Sequence, residues 1–421
     1  MSTVQLTTDW NMCISCGICK AVCPQKCINN KEESGMNLPS IDKDLCVACG
    51  KCFKVCPGKG VDYLKNGSLE GRDFWRGSYK GIYIAKTKNS RLLHDAVSGG
   101  VATTLVKYLL EINDYKCAFL VADNSFSEHL VCTERFDDPE GLSSTQKSRY
   151  LLISHEKSIK YILSNRNEKV ILIGTGCFVQ GFLNVISMYG LNRDNYFIIG
   201  LFCDKTMSMN VVKYFNSFLP DNDKIKNLFF RTKDVGGWPG GVRIECESGK
   251  IMDFPNKVRM EVKGYFQPER CLYCLDKLNM FADISLGDNY VEKSDDWRGS
   301  SSVIVRTEAG NRIWECCGDL FETKILDPDC LYKSQHMEQR KDNYFFSKLK
   351  EKKIGSAINL INNLVLENKE NEAQKENEYR QRLDNIYIGM KYDNEPALLK
   401  RRLRQKKLKT YIKKIANKLK N

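Results

Sequence analysis

Between residues 79 and 330 short apolar runs alternate with longer mixed segments. Gly81 to Ala85 (GIYIA), Cys117 to Ala122 (CAFLVA), Val170 to Ile173 (VILI) and Tyr196 to Phe202 (YFIIGLF) have the length and composition of buried strands. The segments Gly100 to Glu111, Glu156 to Asn165, Phe178 to Met188 and Met207 to Phe218 read as helices. This alternation predicts a mostly parallel sheet covered by helices. Residues 230 to 260 break the pattern. A Gly-rich loop, Val235 to Gly241 (VGGWPGG), leads into alternating strands around a turn at Ser248 and Gly249, a hairpin that lies over a site or pairs with the main sheet. Further strands are expected at Ser302 to Arg306 and Thr323 to Leu326, with a helix from Gly310 to Phe321. Beyond Leu331 the chain is helical and charged, and Glu367 to Arg382 (ENKENEAQKENEYRQR) has little to bury, as in a linker or an exposed helix.

The first sixty residues follow another logic. Nine of the 19 cysteines lie between Cys13 and Cys56. Cys13, Cys16, Cys19 and Cys23, followed by Pro24, form C-x2-C-x2-C-x3-C-P, and Cys46, Cys49, Cys52 and Cys56, followed by Pro57, repeat it. This is the bacterial ferredoxin pattern, twice. A cubane needs four converging thiolates; two-residue gaps supply three from one tight loop, and the fourth comes from the other run. One 4Fe-4S cluster is therefore expected on Cys13, Cys16, Cys19 and Cys56, the other on Cys46, Cys49, Cys52 and Cys23. Zinc sites pair CxxC knuckles without a four-Cys run or a trailing Pro. Cys27 falls outside both runs and reads as a small hydrophobe. Residues 60 to 78, rich in Gly and polar side chains, read as a linker. The expected organisation is a two-cluster domain at 1–62, a linker at 63–78, a mixed α/β domain at 79–330 and a charged helical extension at 331–421.

With 421 residues, 42% hydrophobic and 28% charged, wholesale disorder is excluded and two or more domains are expected. No run approaches the roughly 18 apolar residues of a membrane span, and cysteines and charges occupy the place of a signal-peptide core, so a cytoplasmic protein is expected. The net charge of +13 suggests nucleic acid until it is located. Eleven Lys or Arg and no acid lie between Lys400 and Lys420, so the remaining chain carries +2 and nucleic acid is not expected. Leu408, Ile412, Ile415 and Leu419 recur at helical spacing among those lysines. The tail 400–421 is thus either a solvated basic helix or an amphipathic one in peripheral contact with an anionic membrane at its inner face.

A second cysteine group sits in the α/β region. Cys177 follows VILI through Gly174-Thr175-Gly176, on a strand-to-helix turn of the kind where open α/β sheets bind ligands. Cys203 ends the next strand in GLFCD, and Cys271 and Cys274 form a CxxC in RCLYC. Four thiolates suffice for a third cubane; the other reading is two buried small residues plus a redox pair. Gly174-x-Gly176 with Gly181 does not meet the dinucleotide fingerprint. Ser98-Gly99-Gly100 before a helix at Val101 is a better phosphate candidate, with Ser98 able to cap and free NH groups at the helix start; an ordinary capped helix fits as well.

Taken together, these features resemble the family of coenzyme F420 hydrogenase/dehydrogenase beta subunits, which includes the hydroxymethyl chlorophyll reductases of plants. The resemblance spans about residues 10 to 330. It is carried by the ferredoxin runs, AVSGGVATTLVKYLL (Ala96 to Leu110), QKSRY (Gln146 to Tyr150), VILIGTGCFVQG (Val170 to Gly181), GLFCD (Gly200 to Asp204), RCLYCLDK (Arg270 to Lys277) and ADISLGDNY (Ala282 to Tyr290). It implies FAD and iron–sulfur clusters, with electrons passing between a deazaflavin, a ferredoxin or a reducible substrate. It further implies that Cys177, Cys203, Cys271 and Cys274 hold a third 4Fe-4S cluster, and that Ser98, Gly99, Gly100, Lys147, Ser148 and Tyr150 lie near the FAD. Two departures from the family pattern are Arg149, where Lys is usual, and Gly176, where Pro is commoner. Asp283 and Asp288 are either loop anchors or neighbours of the flavin.

The expected fold class is thus α+β and α/β: a small ferredoxin-like domain with two 4Fe-4S clusters, a mixed α/β flavin-binding domain and a helical C-terminal tail. The expected function is a flavin-dependent iron–sulfur oxidoreductase. It would serve a redox partner protein or a small-molecule substrate, with coenzyme F420 and bacterial surface-polysaccharide synthesis among the candidates. The alternative is a non-enzymatic electron-transfer subunit. No catalytic acid or base is assigned, since His94, His129, His155 and His336 all fall outside these motifs.

Overall fold

The computed structural model describes residues 2–60, 76–122, 132–220, 222–274, 276–291, 296–341 and 372–420, with side chains of the C-terminal helix as far as Leu408. Most of the expected linker, residues 61–75, lies outside the described residues.

The N-terminal cysteine runs fold alike. In each, a short helix (Ile18–Ala21, Lys51–Val55) follows the first two cysteines. Ser15 and Ala48 take φ 54° and 50°, and Gly17 and Gly50 take φ 71° and 72°. Each loop thus turns twice through the left-handed region, which curls the backbone around its sulfurs; only glycine enters that region without strain. The hairpin β1 (Ile28–Glu33) and β2 (Met36–Ile41), paired from Ile28↔Ile41 to Glu33↔Met36, joins the two runs.

The α/β region is built on strands β3 (Gly81–Thr87), β4 (Cys117–Val121), β5 (Thr133–Phe136), β6 (Val170–Thr175) and β7 (Tyr196–Leu201). The chain then leaves for a separate antiparallel sheet, β8 (Ile225–Thr232), β9 (Gly241–Cys246) and β10 (Ile251–Phe254). It returns as β11 (Ile284–Asp288), β12 (Ser301–Val305) and β13 (Phe321–Ile325). The main sheet has eight strands in the order β13-β3-β12-β11-β7-β6-β4-β5.

The expected mostly parallel sheet is therefore corrected to a mixed one. Only β4, β6, β7 and β11 run parallel, and the other pairs are antiparallel. Parallel neighbours require a crossover, which the helices Glu156–Ser164 and Gly176–Tyr189 provide. β12 returns antiparallel to β11, with Asp288 opposite Ser301. The β9–β10 hairpin turns at Gly249 as expected, but it belongs to the separate sheet.

Alternate residues explain why the central strands are apolar throughout. Phe119, Val170, Leu172, Tyr196 and Ile198 face one core with helix Gly176–Tyr189; Ala118, Leu120, Ile171, Phe197 and Ile199 face the other with helix Val101–Glu111. A third core joins the small sheet to the C-terminus through Val262, Tyr265, Phe266, Tyr392 and Leu399. The helices Glu372–Met390 and Pro396–Lys420 are thus partly embedded. Gly389 lies so close to Tyr265 that an added Cβ would stand 2.0 Å from its carbonyl oxygen. Ile412, Ile415 and Leu419, which carry the expected apolar stripe, fall outside the described side chains. Among the described residues no helix is long and apolar enough to cross a membrane.

Candidate functional site

Cys13, Cys16, Cys19 and Cys56 line one cavity, together with Ser15, Gly17 and Gly58. Cys23, Cys46, Cys49 and Cys52 line a second, together with Cys27. The fourth thiol of each set comes from the opposite run. Backbone NH groups turn onto the sulfurs, with Ser15 N donating to Cys13 Sγ at 3.4 Å and Gly58 N to Cys56 Sγ at 3.3 Å. Burial pushes the Cys13 thiol up to about 12, and Cys56 beside it adds to the shift while Ser15 opposes it. A cationic cluster core would take thiols so placed as thiolates. Among the described residues no group of Cys, His, Asp or Glu is arranged to hold a metal ion. The donor set fits a bulky cluster that accepts four sulfurs around its periphery.

The third group is assembled by the sheet. β6 and β7 pair in parallel with Thr175 opposite Leu201, so Cys177 and Cys203 emerge two residues later at the same edge. The 3-10 turn Glu269–Tyr273 brings Cys271, and Cys274 follows. Cys203 N donates to Lys277 O at 2.9 Å, and Asn279 Nδ2 donates to Gly174 O at 2.8 Å, tying this turn to both strand ends. Burial raises the Cys203 thiol, and Cys271, Cys177 and Cys274 raise it further. Gly176 answers one departure from the family pattern. A Cβ there would lie 2.6 Å from Asp276 Oδ2, so the buried Asp276 carboxyl occupies the space of a larger residue.

The three groups adjoin. Cys19 packs with Cys52 in one apolar cluster, and Cys16 and Cys177 share another. Arg270 is buried between the first and third groups. Its Nη2 donates to Pro57 O at 2.9 Å, and its charge favours the thiolates of Cys13, Cys177 and Cys271. The helix Gly176–Tyr189 runs from the third group onto the N-terminal domain, where an added Cβ at Gly181 would stand 2.6 Å from Ile18 Cδ1 and 3.1 Å from Pro57 Cδ.

The expected flavin residues are gathered by cations that the sequence did not single out. Ser98 Oγ donates to Ser300 O at 2.5 Å, so Ser98 does not cap the helix Val101–Glu111; its N-cap is Gly100, without a side-chain cap. Gly99 N donates to Ser301 Oγ. Lys233 Nζ donates to Leu93 O and Ser98 O, and burial lowers its pKa to about 8. Arg231, 3% exposed, reaches Val97 O, Tyr150 OH and both oxygens of Asp288. Lys147, at φ 72°, places its ammonium 4.3 Å from the Phe229 ring centre. Ser148 lies half-buried between Lys147 and Arg149. Arg149, the second departure, spends its guanidinium on the carbonyls of Gln146, Lys147 and Ser144, bracing its own loop. Arg259 lies 4.6 Å from the Tyr150 ring centre, and its buried Nε meets no acceptor among the described residues. Three buried cations around a glycine-rich turn, one with an unsatisfied donor, fit a cofactor carrying a diphosphate.

Asp288 also accepts from Trp238 Nε1, so the indole is packed into this network. Asp283 instead accepts from Ile198 N, Arg193 and Thr307 and anchors loops. A cavity of about 1020 Å³ opens at the opposite end of the parallel strands, beside Lys169, Arg193 and Arg312, and none of the predicted thiols or flavin residues lines it. Arg231, Lys233 and Arg259 gave no signal of their own in the sequence. Arg231 and Lys233 stand at the end of an apolar run (LFFRTK), where a buried cation is readable only once a partner such as Asp288 is placed.

Residues 12–60 match the model of a 4Fe-4S dicluster domain. Residues 82–160 and 167–327 match the N-terminal and C-terminal models of the coenzyme F420 hydrogenase/dehydrogenase beta subunit, together more than half of the chain. Coenzyme F420 hydrogenase subunit beta of Methanosarcina barkeri is 27% identical over 263 residues, 61% of this chain and 85% of that protein. A subunit of the F(420)H(2) dehydrogenase of Methanosarcina mazei is 24% identical over 327 residues, 74% of this chain and 84% of its own length. A chain of the F420-reducing NiFe hydrogenase complex from Methanosarcina barkeri, solved as a xenon derivative, is 23% identical with a TM-score of 0.46, over 65% of this chain and 96% of that one.

Proposed function

This chain belongs to the family of coenzyme F420 hydrogenase/dehydrogenase beta subunits, and from that premise we propose that it is a flavin-dependent iron–sulfur oxidoreductase. Electrons pass between two N-terminal 4Fe-4S centres, a third centre on Cys177, Cys203, Cys271 and Cys274, FAD, and a two-electron partner such as coenzyme F420. The observation that carries the reading is the adjacency of the three thiol groups, with Cys19 and Cys52 in one core, Cys16 and Cys177 in another, and the buried Arg270 between the first group and the third.

FAD, when bound, couples one-electron exchange with clusters to two-electron exchange with an organic partner. The chain's own residues hold it and shape its surroundings. Ser98, Gly99 and Gly100 offer backbone at close approach, and Lys147, Ser148 and Tyr150 face the same region. Lys233 and Arg259 supply positive charge for a diphosphate. Asp288 fixes the Arg231 guanidinium against Tyr150 and Val97, and the Trp238 indole NH donates to the same carboxylate.

The test is anaerobic reconstitution of the full chain. It should carry about twelve irons, four for each of three cubanes, and about one FAD; zinc in place of iron, or no flavin, sinks the proposal. The two Methanosarcina relatives are named as subunits, which favours a second reading in which a partner protein performs the chemistry. Reduction of F420 or another organic acceptor by the isolated chain, with reduced viologen as donor, decides against it.

A further inference from the structure

Five thiols surround the second N-terminal cavity, although a cubane takes four. The fifth is Cys27, which the sequence treats as filler. Its Sγ lies 3.4 Å from Cys23 Sγ, and Cys46 is its other sulfur neighbour. The chain is built to hold it there. Lys26, at φ 51°, closes a turn in which its NH donates to Cys23 O, and Asp42 N donates to Cys27 O at the foot of the β1–β2 hairpin. Cys27 is 3% exposed, so its sulfur has the cavity and its neighbours to face, not solvent. The first cavity has no such extra member: Cys13, Cys16, Cys19 and Cys56 are the only thiols lining it among the described residues.

We propose that Cys27 is a stand-in ligand of the second centre, able to take the iron corner of Cys23. The inference rests on the reading that this cavity holds a 4Fe-4S cluster. The exchange is a ligand substitution without change of oxidation state. The Cys27 sulfur binds iron and gives up its proton, the Fe–S bond to Cys23 breaks, and the departing Cys23 sulfur takes up a proton. The two sulfurs are near neighbours on a tight turn, so the swap needs a side-chain rotation and a small shift of residues 24–26, not a refolded loop. The centre would then survive loss or oxidation of Cys23, whereas the first centre has no replacement for any of its ligands.

The experiment compares full-length wild type, Cys23→Ala, Cys27→Ala, Cys49→Ala and the double variant Cys23→Ala/Cys27→Ala after anaerobic reconstitution. Iron, acid-labile sulfide and the electron paramagnetic resonance of the dithionite-reduced protein are measured. Cys23→Ala and Cys27→Ala should each keep the wild-type iron content, while Cys49→Ala and the double variant should each lose about four irons, one cubane. Cys23→Ala losing as much iron as Cys49→Ala, with the signal of the first centre intact in both, overturns the proposal. Cys23→Ser guards against a misfolded alanine variant and should also keep its iron. Wild type that takes up no cluster in this domain is a separate result, which removes the underlying reading and this inference with it.

Discussion

The two N-terminal thiol groups and the third one solve the same problem by opposite means. In the first sixty residues each group takes three sulfurs from one loop and borrows the fourth from the other run, so local spacing does most of the work. In the α/β region no two of the four sulfurs share a strand end. Cys177 follows β6, Cys203 follows β7, and Cys271 and Cys274 arrive on a turn held by Asn279 and Lys277. A local group can form before the rest of the protein is folded; a dispersed one exists only once the parallel strands are paired and the turn is docked.

The largest effect that tests this contrast is loss of a whole centre. Cys56→Ala should remove about four irons, one cubane, from the group of the first run, although Cys56 lies in the second. Combining it with Cys13→Ala should therefore cost no further iron, and combining it with Cys49→Ala should double the loss. Cys203→Ala should remove about four irons and leave the N-terminal signals unchanged. Iron analysis of the single and double variants checks both, and additive loss in Cys13→Ala/Cys56→Ala would show that the exchange between runs is wrong.

A smaller effect is expected in the network around Arg231 and Asp288. Asp288→Leu leaves Arg231 charged, buried and without its carboxylate. It should destabilise the protein by about 3–5 kcal/mol, measured by urea unfolding, and weaken flavin retention. A second change, Arg231→Met, should restore much of the stability but not the flavin; if it does not, the pair is not the unit described.

The smallest effect concerns the seam between the regions. Gly181→Val adds a Cβ 2.6 Å from Ile18 Cδ1, and such overpacking costs about 1–3 kcal/mol. Limited proteolysis should release the N-terminal domain sooner from this variant. Unchanged release would mean that the seam does not depend on this contact.

The same contrast governs what could be read from the chain. Spacing and the trailing prolines pointed to which cysteine joins which N-terminal group, because those rules act over a few residues. The apolar runs located β3, β4, β6 and β7, since strands buried on both faces are apolar throughout. Edge strand β5 (TERF), with little to bury on one face, left no such run. The direction of β12 was not legible either, because it depends on how the chain comes back to pair with β11 and not on its own composition. Ser98 offered a cap by type, but Ser300, two hundred residues away, takes its hydroxyl. Arg231, Lys233 and Arg259 were invisible for the same reason. A buried cation is meaningful only beside the carbonyls, carboxylate and ring that surround it, and these come from four separate parts of the chain. The basic tail reads as a solvated or membrane-facing helix from its charge, yet Leu403 near its start packs against the core of the small sheet.

The helix Gly176–Tyr189 carries Cys177 in its first turn and rests on Ile18 and Pro57 one turn later. It works as a spacer of fixed length. Electron tunnelling slows exponentially with the gap it must cross, so in the proposed relay this helix, and not a swinging domain, would set the gap between the third centre and the N-terminal ones. Control over the proposed flow of electrons would then lie outward, with whatever meets the chain at either end of the relay.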